Sequence, residues 1–222
     1  MGSVKLWLAV CCALSALAAP VRAGEGFSVS LGVGGGLWRL PAGDLGKTLQ
    51  QLDSPRGDQA LLTDPLADGL ALRFAMAYNI RDLVSIELGA TGHGFKLDDI
   101  DAIGGSGHFA LVVHFHPFGL FMPDRDFDAS LFLGGGYVIL GGGQAADDLS
   151  RGLDGGLLEC GLSGRYFFTP WFSLGAEVRL GVPFFSRWHV DWEDDESYGL
   201  DDHPEALFTA LLISPTFHFA AR

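Results

Sequence analysis

Three groups of side chains in this 222-residue sequence have types and spacings that could do chemistry. The first is a set of histidines. His108, His114 and His116 are an even number of residues apart, so an extended chain would put them on one side, and His93 and His218 are expected to face the same way. Imidazoles at i and i+2 can share a metal ion if adjacent strands add ligands. The plainer reading, which we favour, is polar lining. The second is the acidic stretch Asp191, Glu193, Asp194, Asp195 and Glu196, which continues to Asp201, Asp202 and Glu205. Between Ser186 and Glu205 there are eight acids and one arginine, a net of −7. Hard oxygen ligands suit a weak divalent-ion role, such as bridging anionic lipopolysaccharide, but the EF-hand spacing and its central glycine are absent. A solvated loop is the plainer alternative. The third is a pair of nominal serine–histidine combinations, Ser186 with His189 and Ser106 with His93. A hydrolytic triad is defined by geometry rather than chain order, and neither pair carries a specific motif. We therefore expect no catalytic residues, no bound metal and no cofactor. Gly34-Gly35-Gly36, Gly134-Gly135-Gly136 and Gly141-Gly142-Gly143 are not phosphate loops, because no G-x-x-x-x-G-K-[ST] leads from a strand into a helix.

What must position these groups is a set of strands. From Leu70 to Tyr78, Leu70, Leu72, Phe74, Met76 and Tyr78 share one face, with Ala71, Arg73, Ala75 and Ala77 opposite. This period of two marks a strand with one apolar side. The same pattern recurs in Gly26–Leu40, Val84–His93, Gly107–Pro117, Ala129–Leu140, Leu158–Phe168, Phe172–Phe185 and Ala206–Phe219, giving eight predicted strands. Their connections alternate. Asn79–Asp82, Phe118–Asp128 and Thr169–Trp171 are short or moderate, whereas Pro41–Asp68, Lys96–Ser106, Gly141–Gly155 and Ser186–Glu205 are longer.

The less apolar faces hold Gly, Ala and Ser plus six charges: Arg73, Glu87, Glu159, Arg165, Glu177 and Arg179. As the outside of a soluble barrel this face would be unusually poor in Lys and Glu. As the inside of a narrow barrel it has the small residues that the limited volume requires. Three Arg against three Glu would also balance, as buried charges must. The nearly uncharged opposite face would then touch lipid, where only a closed sheet satisfies every backbone group. Aromatics near the short turns (Phe27, Tyr78, Phe118, Phe127, Tyr166, Phe168, Trp171, Phe172, Phe217 and Phe219) and near the long loops (Trp38, Phe95, Phe109, Tyr137, Phe184, Phe185, Trp188 and Phe208) would form two interfacial girdles. The expected fold is all-β: an eight-stranded antiparallel up-and-down transmembrane β-barrel.

Residues 1–23 read as a secretory signal peptide. Lys5 precedes an apolar run from Leu6 to Ala19, and Val21-Arg22-Ala23 puts small residues at the −3 and −1 positions. Cleavage before Gly24 leaves one barrel domain, 24–222. It changes the net charge from −13 to −15, because Lys5 and Arg22 leave without any acid, and it leaves Cys160 as the only cysteine, read as a small apolar residue. So acidic a chain is unsuited to nucleic acid, which calls for basic surface.

The signal peptide, alternating strands, short inner turns and long outer loops together resemble the small outer-membrane β-barrel superfamily of Gram-negative bacteria, the OmpA- and OmpW-like barrels. The stretches Gly32-Val33-Gly34-Gly35-Gly36 and Leu133-Gly134-Gly135-Gly136-Tyr137 look like strands of such barrels. Members typically end on an aromatic residue, whereas here Phe219 is followed by Ala220-Ala221-Arg222. The resemblance implies an outer-membrane location and contact with lipid, lipopolysaccharide and the outer-membrane assembly machinery. The function expected is a structural or interaction role as a monomer, with an envelope protein as a possible partner at the acidic loops. Narrow conduction of small or apolar solutes and lipid modification are the alternatives.

Overall fold

A computed structural model describes residues 26–39, 66–80, 83–97, 102–118, 126–144, 150–191, 196–199 and 206–220. The signal-peptide segment and most of the first long loop lie outside these. The strands are β1 (Gly26–Arg39), β2 (Leu66–Ile80), β3 (Val84–Leu97), β4 (Ala102–Phe115), β5 (Phe127–Gln144), β6 (Ser150–Thr169), β7 (Phe172–Asp191), β8 (Glu196–Gly199) and β9 (Leu207–Ala220). Neighbours in sequence pair antiparallel from β1 through β7. β9 then pairs with both β7 and β1 and closes the sheet. The eight long strands form the barrel, and β8 only extends the outer end of β7. Among the described residues no helix is long and apolar enough to cross a membrane; the strands carry the apolar face.

The eight predicted strands are all present, and several run further than expected at the long-loop end. β5 continues through Gly141-Gly142-Gly143, which pair with Gly105, Gly104 and Ile103. β7 continues from Phe185 to Asp191. Alternation fades in these segments because both faces leave the apolar band. The backbone ladder needs no side-chain contrast to continue, so the hairpins rise past the point where sequence patterning stops.

The apolar faces point outward. Leu88 is 52% exposed, Phe109 63% and Leu133 59%, while inward Val112 and Leu212 are fully buried. The inner wall uses small side chains, including Ala71, Ala75, Ala110 and Ala210. Several glycines are dictated by close approach, Gly136 and Gly181 among them. A Cβ on Gly136 would overlap the Phe109 carbonyl oxygen and lie 2.7 Å from Ala110 Cα. One on Gly181 would enter the Phe208 ring. Gly35 has nothing within 4 Å of such an atom. Gly136→Val is therefore expected to weaken the β4–β5 pairing and cost about 1–3 kcal/mol, as overpacking does, with Gly35→Ala within about 0.5 kcal/mol of the parent. Urea unfolding of the detergent-folded protein measures both.

Candidate functional site

The barrel bore is filled by an ion cluster at mid-height. Arg179 on β7 donates from Nε to Glu177 Oε2 at 2.9 Å, from Nη1 to Glu159 Oε1 at 3.0 Å and from Nη2 to Glu87 Oε1 at 3.0 Å. Arg73 on β2 pairs with Glu87, approaches Glu177 Oε2 at 3.8 Å and donates to Thr91 Oγ1 at 3.1 Å. The Arg179 guanidinium also lies 4.4 Å from the centre of the Phe132 ring. All five charged side chains are buried. Four strands thus supply a network that crosses the lumen.

Arg165 is not among them. It is the cross-strand partner of Asp128, near the short-turn end of β6, and is half-buried. The central cluster therefore holds two guanidiniums against three carboxylates, one negative charge in excess. The expectation of three balanced pairs does not describe it.

The five histidines singled out all project inward. His114 Nε2 lies 3.3 Å from Glu87 Oε1, and His108 Nε2 lies 3.7 Å from Glu159 Oε2, so an imidazole flanks the cluster on each side. Toward the long-loop end, His93 stacks on His108 with ring centroids 5.9 Å apart, and both rings pack against Phe208. Toward the short-turn end, His114 lies 6.1 Å from the His116 ring centroid, and His218 Nε2 is 2.8 Å from Ser173 Oγ. Among the described residues no three His, Cys, Asp or Glu side chains converge on a point that could hold a metal ion.

Ser106 and His93 are cross-strand partners, but no hydrogen bond joins their side chains. Ser186 is exposed, whereas His189 is buried and bonded to Asp154. One arrangement absent from the sequence reading has the connectivity of a hydrolytic relay. Ser85 Oγ is 2.9 Å from His116 Nε2, and His116 Nδ1 donates to Asp128 Oδ2 at 2.7 Å. Its exposure runs the wrong way for a nucleophile. Asp128 is the member open at the rim, with 21% of its side chain exposed, and Ser85 is the member sealed inside. Strand parity marks Ser85 and His116 as inward. The missing signal was Asp128, which sits at the boundary of a predicted connection.

Beyond the outer aromatic level, two register pairs past Phe184, Asp154 accepts from Arg187 Nε and His189 Nε2, each at 2.9 Å, and Arg187 also donates to the Tyr137 hydroxyl at 2.9 Å. Burial would raise the Asp154 carboxyl, but hydrogen bonds from Tyr137, His189 and Arg187, with the Arg187 charge, hold it below its ordinary value. A depressed carboxyl contributes stability above its unfolded pKa and loses it as pH falls through the folded value. Amide protection factors, the exchange rates relative to the intrinsic rate at each pH, should therefore be high at the outer end of the β6–β7 hairpin at neutral pH and fall there first on acidification below about pH 4. Asp154→Asn should show the lower protection already at neutral pH.

The short-turn girdle is built as expected. Phe27 packs on Phe219, Tyr166 on Phe168, and Trp171 and Phe172 on Phe217. The long-loop girdle needs correction. Phe109, Tyr137 and Phe184 face outward, but Trp38, Phe185 and Phe208 are buried inside, where Trp38 stacks on Phe208 at 5.2 Å. Their inward strand phase outweighs their height along the barrel. The Phe95 and Trp188 side chains lie outside the description. So do the side chains of the acidic stretch: the backbone is described at Asp191 and Glu196, while Glu193, Asp194 and Asp195 fall outside the described residues.

Several solved structures share this architecture. Neisserial surface protein A superposes with a TM-score of 0.58 at 13% identity, over 88% of this chain and 99% of that one. A major outer membrane protein from Thermus thermophilus gives 0.56 at 14% identity, over 88% and 99%. The outer membrane protein OprG from Pseudomonas aeruginosa gives 0.52 at 14% identity, over 90% and 100%. No protein-family model and no curated protein matches the chain. At these identities the likeness establishes the fold: a closed antiparallel barrel of the outer-membrane type.

Proposed function

We propose that this chain, having the fold of small outer-membrane barrels, resides in the outer membrane of a Gram-negative bacterium as a structural or interaction barrel that is closed to solutes. The observation that carries this reading is the plug. Arg73, Glu87, Glu159, Glu177 and Arg179 bond to one another across the bore, with Phe132 against Arg179. Small barrels of this type have interiors that side chains fill. The outward apolar band and the short-turn girdle support a lipid surround, including lipopolysaccharide on the outer side. Insertion then calls for removal of residues 1–23 and for the outer-membrane assembly machinery. Function lies outside the bore, at the long loops. There the acids between Asp191 and Glu205 offer a surface for divalent ions or for a basic patch on an envelope partner.

Planar-bilayer recording of the folded protein tests the plug. We expect no unitary current in molar salt and no swelling of proteoliposomes in sugars. Stable open-channel events would establish the narrow-conduit alternative instead.

A further inference from the structure

The geometry points to a lipid site on the outer wall: a furrow floored by glycines of β3 and β4 that takes an acyl chain, with Arg187 at its outer end to hold the phosphate headgroup of the same lipid. The inference rests on the lipid-surround reading and names one lipid class within it.

A β-bulge builds the headgroup end. Gly156 pairs with outward Phe184 and Gly155 with inward Phe185, but Asp154 pairs with Arg187, so the register skips Ser186. The skipped residue reverses the parity of β7, and Arg187 faces out as Phe184 does. Its guanidinium leans from β7 across β6 to reach β5. Nε donates to Asp154, and Nη2 donates to the hydroxyl of Tyr137, an outward residue of the girdle. Nη1 bonds no side chain among the described residues, and 53% of the Arg187 side chain is exposed. Two edges of the fork are thus pinned, and the third is open to the outside.

The furrow lies in the same row of the sheet. Asp154 pairs with Ile139, Ile139 with Gly107, Gly107 with Gly92, and Gly92 with Leu72. Gly94 and Gly105 widen the bare floor by one row toward the long loops. Between Leu70, Leu72 and Ile139 the floor makes a hollow of about 540 Å³. A second hollow, of about 620 Å³, shares Leu72, Gly92 and Gly107 and runs on past Phe74 and Ala90 toward the short turns. From Leu70 to Phe74 the furrow follows β2 for about 13 Å. Close approach does not dictate its floor, in contrast to Gly136 and Gly181. A Cβ on Gly94 or Gly107 would have nothing within 4 Å, and one on Gly92 would come no nearer than 3.9 Å, to the Ser106 carbonyl oxygen.

Charge and polarity fix the occupant. It is apolar where it lies on Gly92 and Gly107 and anionic where it meets Arg187. Ile139, the furrow wall, is two residues from Tyr137 on β5, about 7 Å, so one molecule can touch both ends. A membrane lipid with a phosphate headgroup has this pattern. The guanidinium fork suits phosphate oxygens, and a cation at the interface attracts anionic headgroups. Asp154 holds the fork in place, and Tyr137 stands at the headgroup level where such rings sit.

The test uses residues 24–222 folded in detergent micelles, with native mass spectrometry counting the lipids that stay bound. The probes are phosphatidic acid, diacylglycerol with the same chains, and inorganic phosphate as a competitor, all with a chelator present. Phosphatidic acid should bind about tenfold more tightly than diacylglycerol, and inorganic phosphate at equal concentration should not displace it. Arg187→Gln should weaken phosphatidic acid about tenfold, the size of one charge-assisted hydrogen bond, and leave diacylglycerol unchanged. Gly107→Leu should fill the furrow and weaken both lipids about tenfold. Gly35→Leu, with the same free space but outside the furrow, should weaken neither. Heat-dependent gel mobility reports folding. Gly94→Leu replaces Gly107→Leu, and Arg187→Met replaces Arg187→Gln, if either fails to fold. Equal binding of the two lipids overturns the inference, as does phosphatidic-acid binding that survives loss of Arg187 or filling of the furrow. Displacement by inorganic phosphate would mark a plain anion site and overturn it too. So would binding that appears only when Ca²⁺ replaces the chelator, because the phosphate would then be held through an ion on the acidic stretch. Binding of neither lipid removes the site but leaves the lipid surround standing, because bulk lipid contact needs no site.

Discussion

Arg179→Met is expected to destabilise the folded barrel by about 3–5 kcal/mol, the range for breaking a buried ion pair by removing one partner. Arg179 donates to Glu177, Glu159 and Glu87, and its removal leaves three buried carboxylates facing Arg73 alone. The cluster would go from one excess negative charge to two. Methionine keeps the length and apolar stem, so packing against Phe132 is largely retained and the loss reports on charge. Glu177→Gln makes the contrast. It removes the excess negative charge and leaves Arg179 bonded to Glu87 and Glu159, so its cost should be much smaller. Combining both substitutions should recover part of the Arg179→Met loss, because one of the three carboxylates has gone and the excess returns from two negative charges to one. Reversible urea unfolding in detergent micelles or vesicles measures all three.

The second large effect is on the opposite face. Leu211 on β9 pairs with Val178 of β7, midway between the girdle residues Phe172 and Phe184. It is 58% exposed, so a larger side chain meets no protein. Leu211→Arg should cost about 2–4 kcal/mol in a lipid bilayer, the value for arginine at the midplane of a barrel's lipid face. If this face met water, the same change would remove an exposed leucine and cost almost nothing. Phe219→Arg, near the short-turn rim, should cost about 0–1 kcal/mol. The difference between the two positions reports depth as well as sign.

Strand parity makes much of this legible in the sequence. Val29, Leu72 and Leu88 alternate with small or polar neighbours, and a sheet pleat converts that alternation directly into outside and inside. The same parity places Arg73, Glu87, Glu159, Glu177 and Arg179 inward. Height along the axis was less legible, because strand tilt and stagger decide which inward residues from different strands meet. Arg165 has the same inward phase as Arg179 but pairs with Asp128 near the rim. Height alone places Trp38 and Phe208 at the outer girdle, but their phase points inward and they fill the lumen. Asp154 carries no sequence signal because it lies at the edge of a predicted loop, where β6 continues with a bulge between Asp154 and Gly155. The Ser85–His116–Asp128 chain draws on three strands, and pairing across strands is not written in any one of them.

The central claim is that the apolar face meets lipid, and Cys160 measures it most directly. It lies on the outward face of β6, is exposed, and pairs with Leu133 and Leu180, two outward residues. It is also the only cysteine once residues 1–23 are gone. A nitroxide attached there, with the protein folded into vesicles, should collide often with molecular oxygen, which concentrates in the bilayer, and rarely with a water-soluble nickel chelate. The reverse order, with frequent nickel collisions and few with oxygen, would place this face in water and contradict the account.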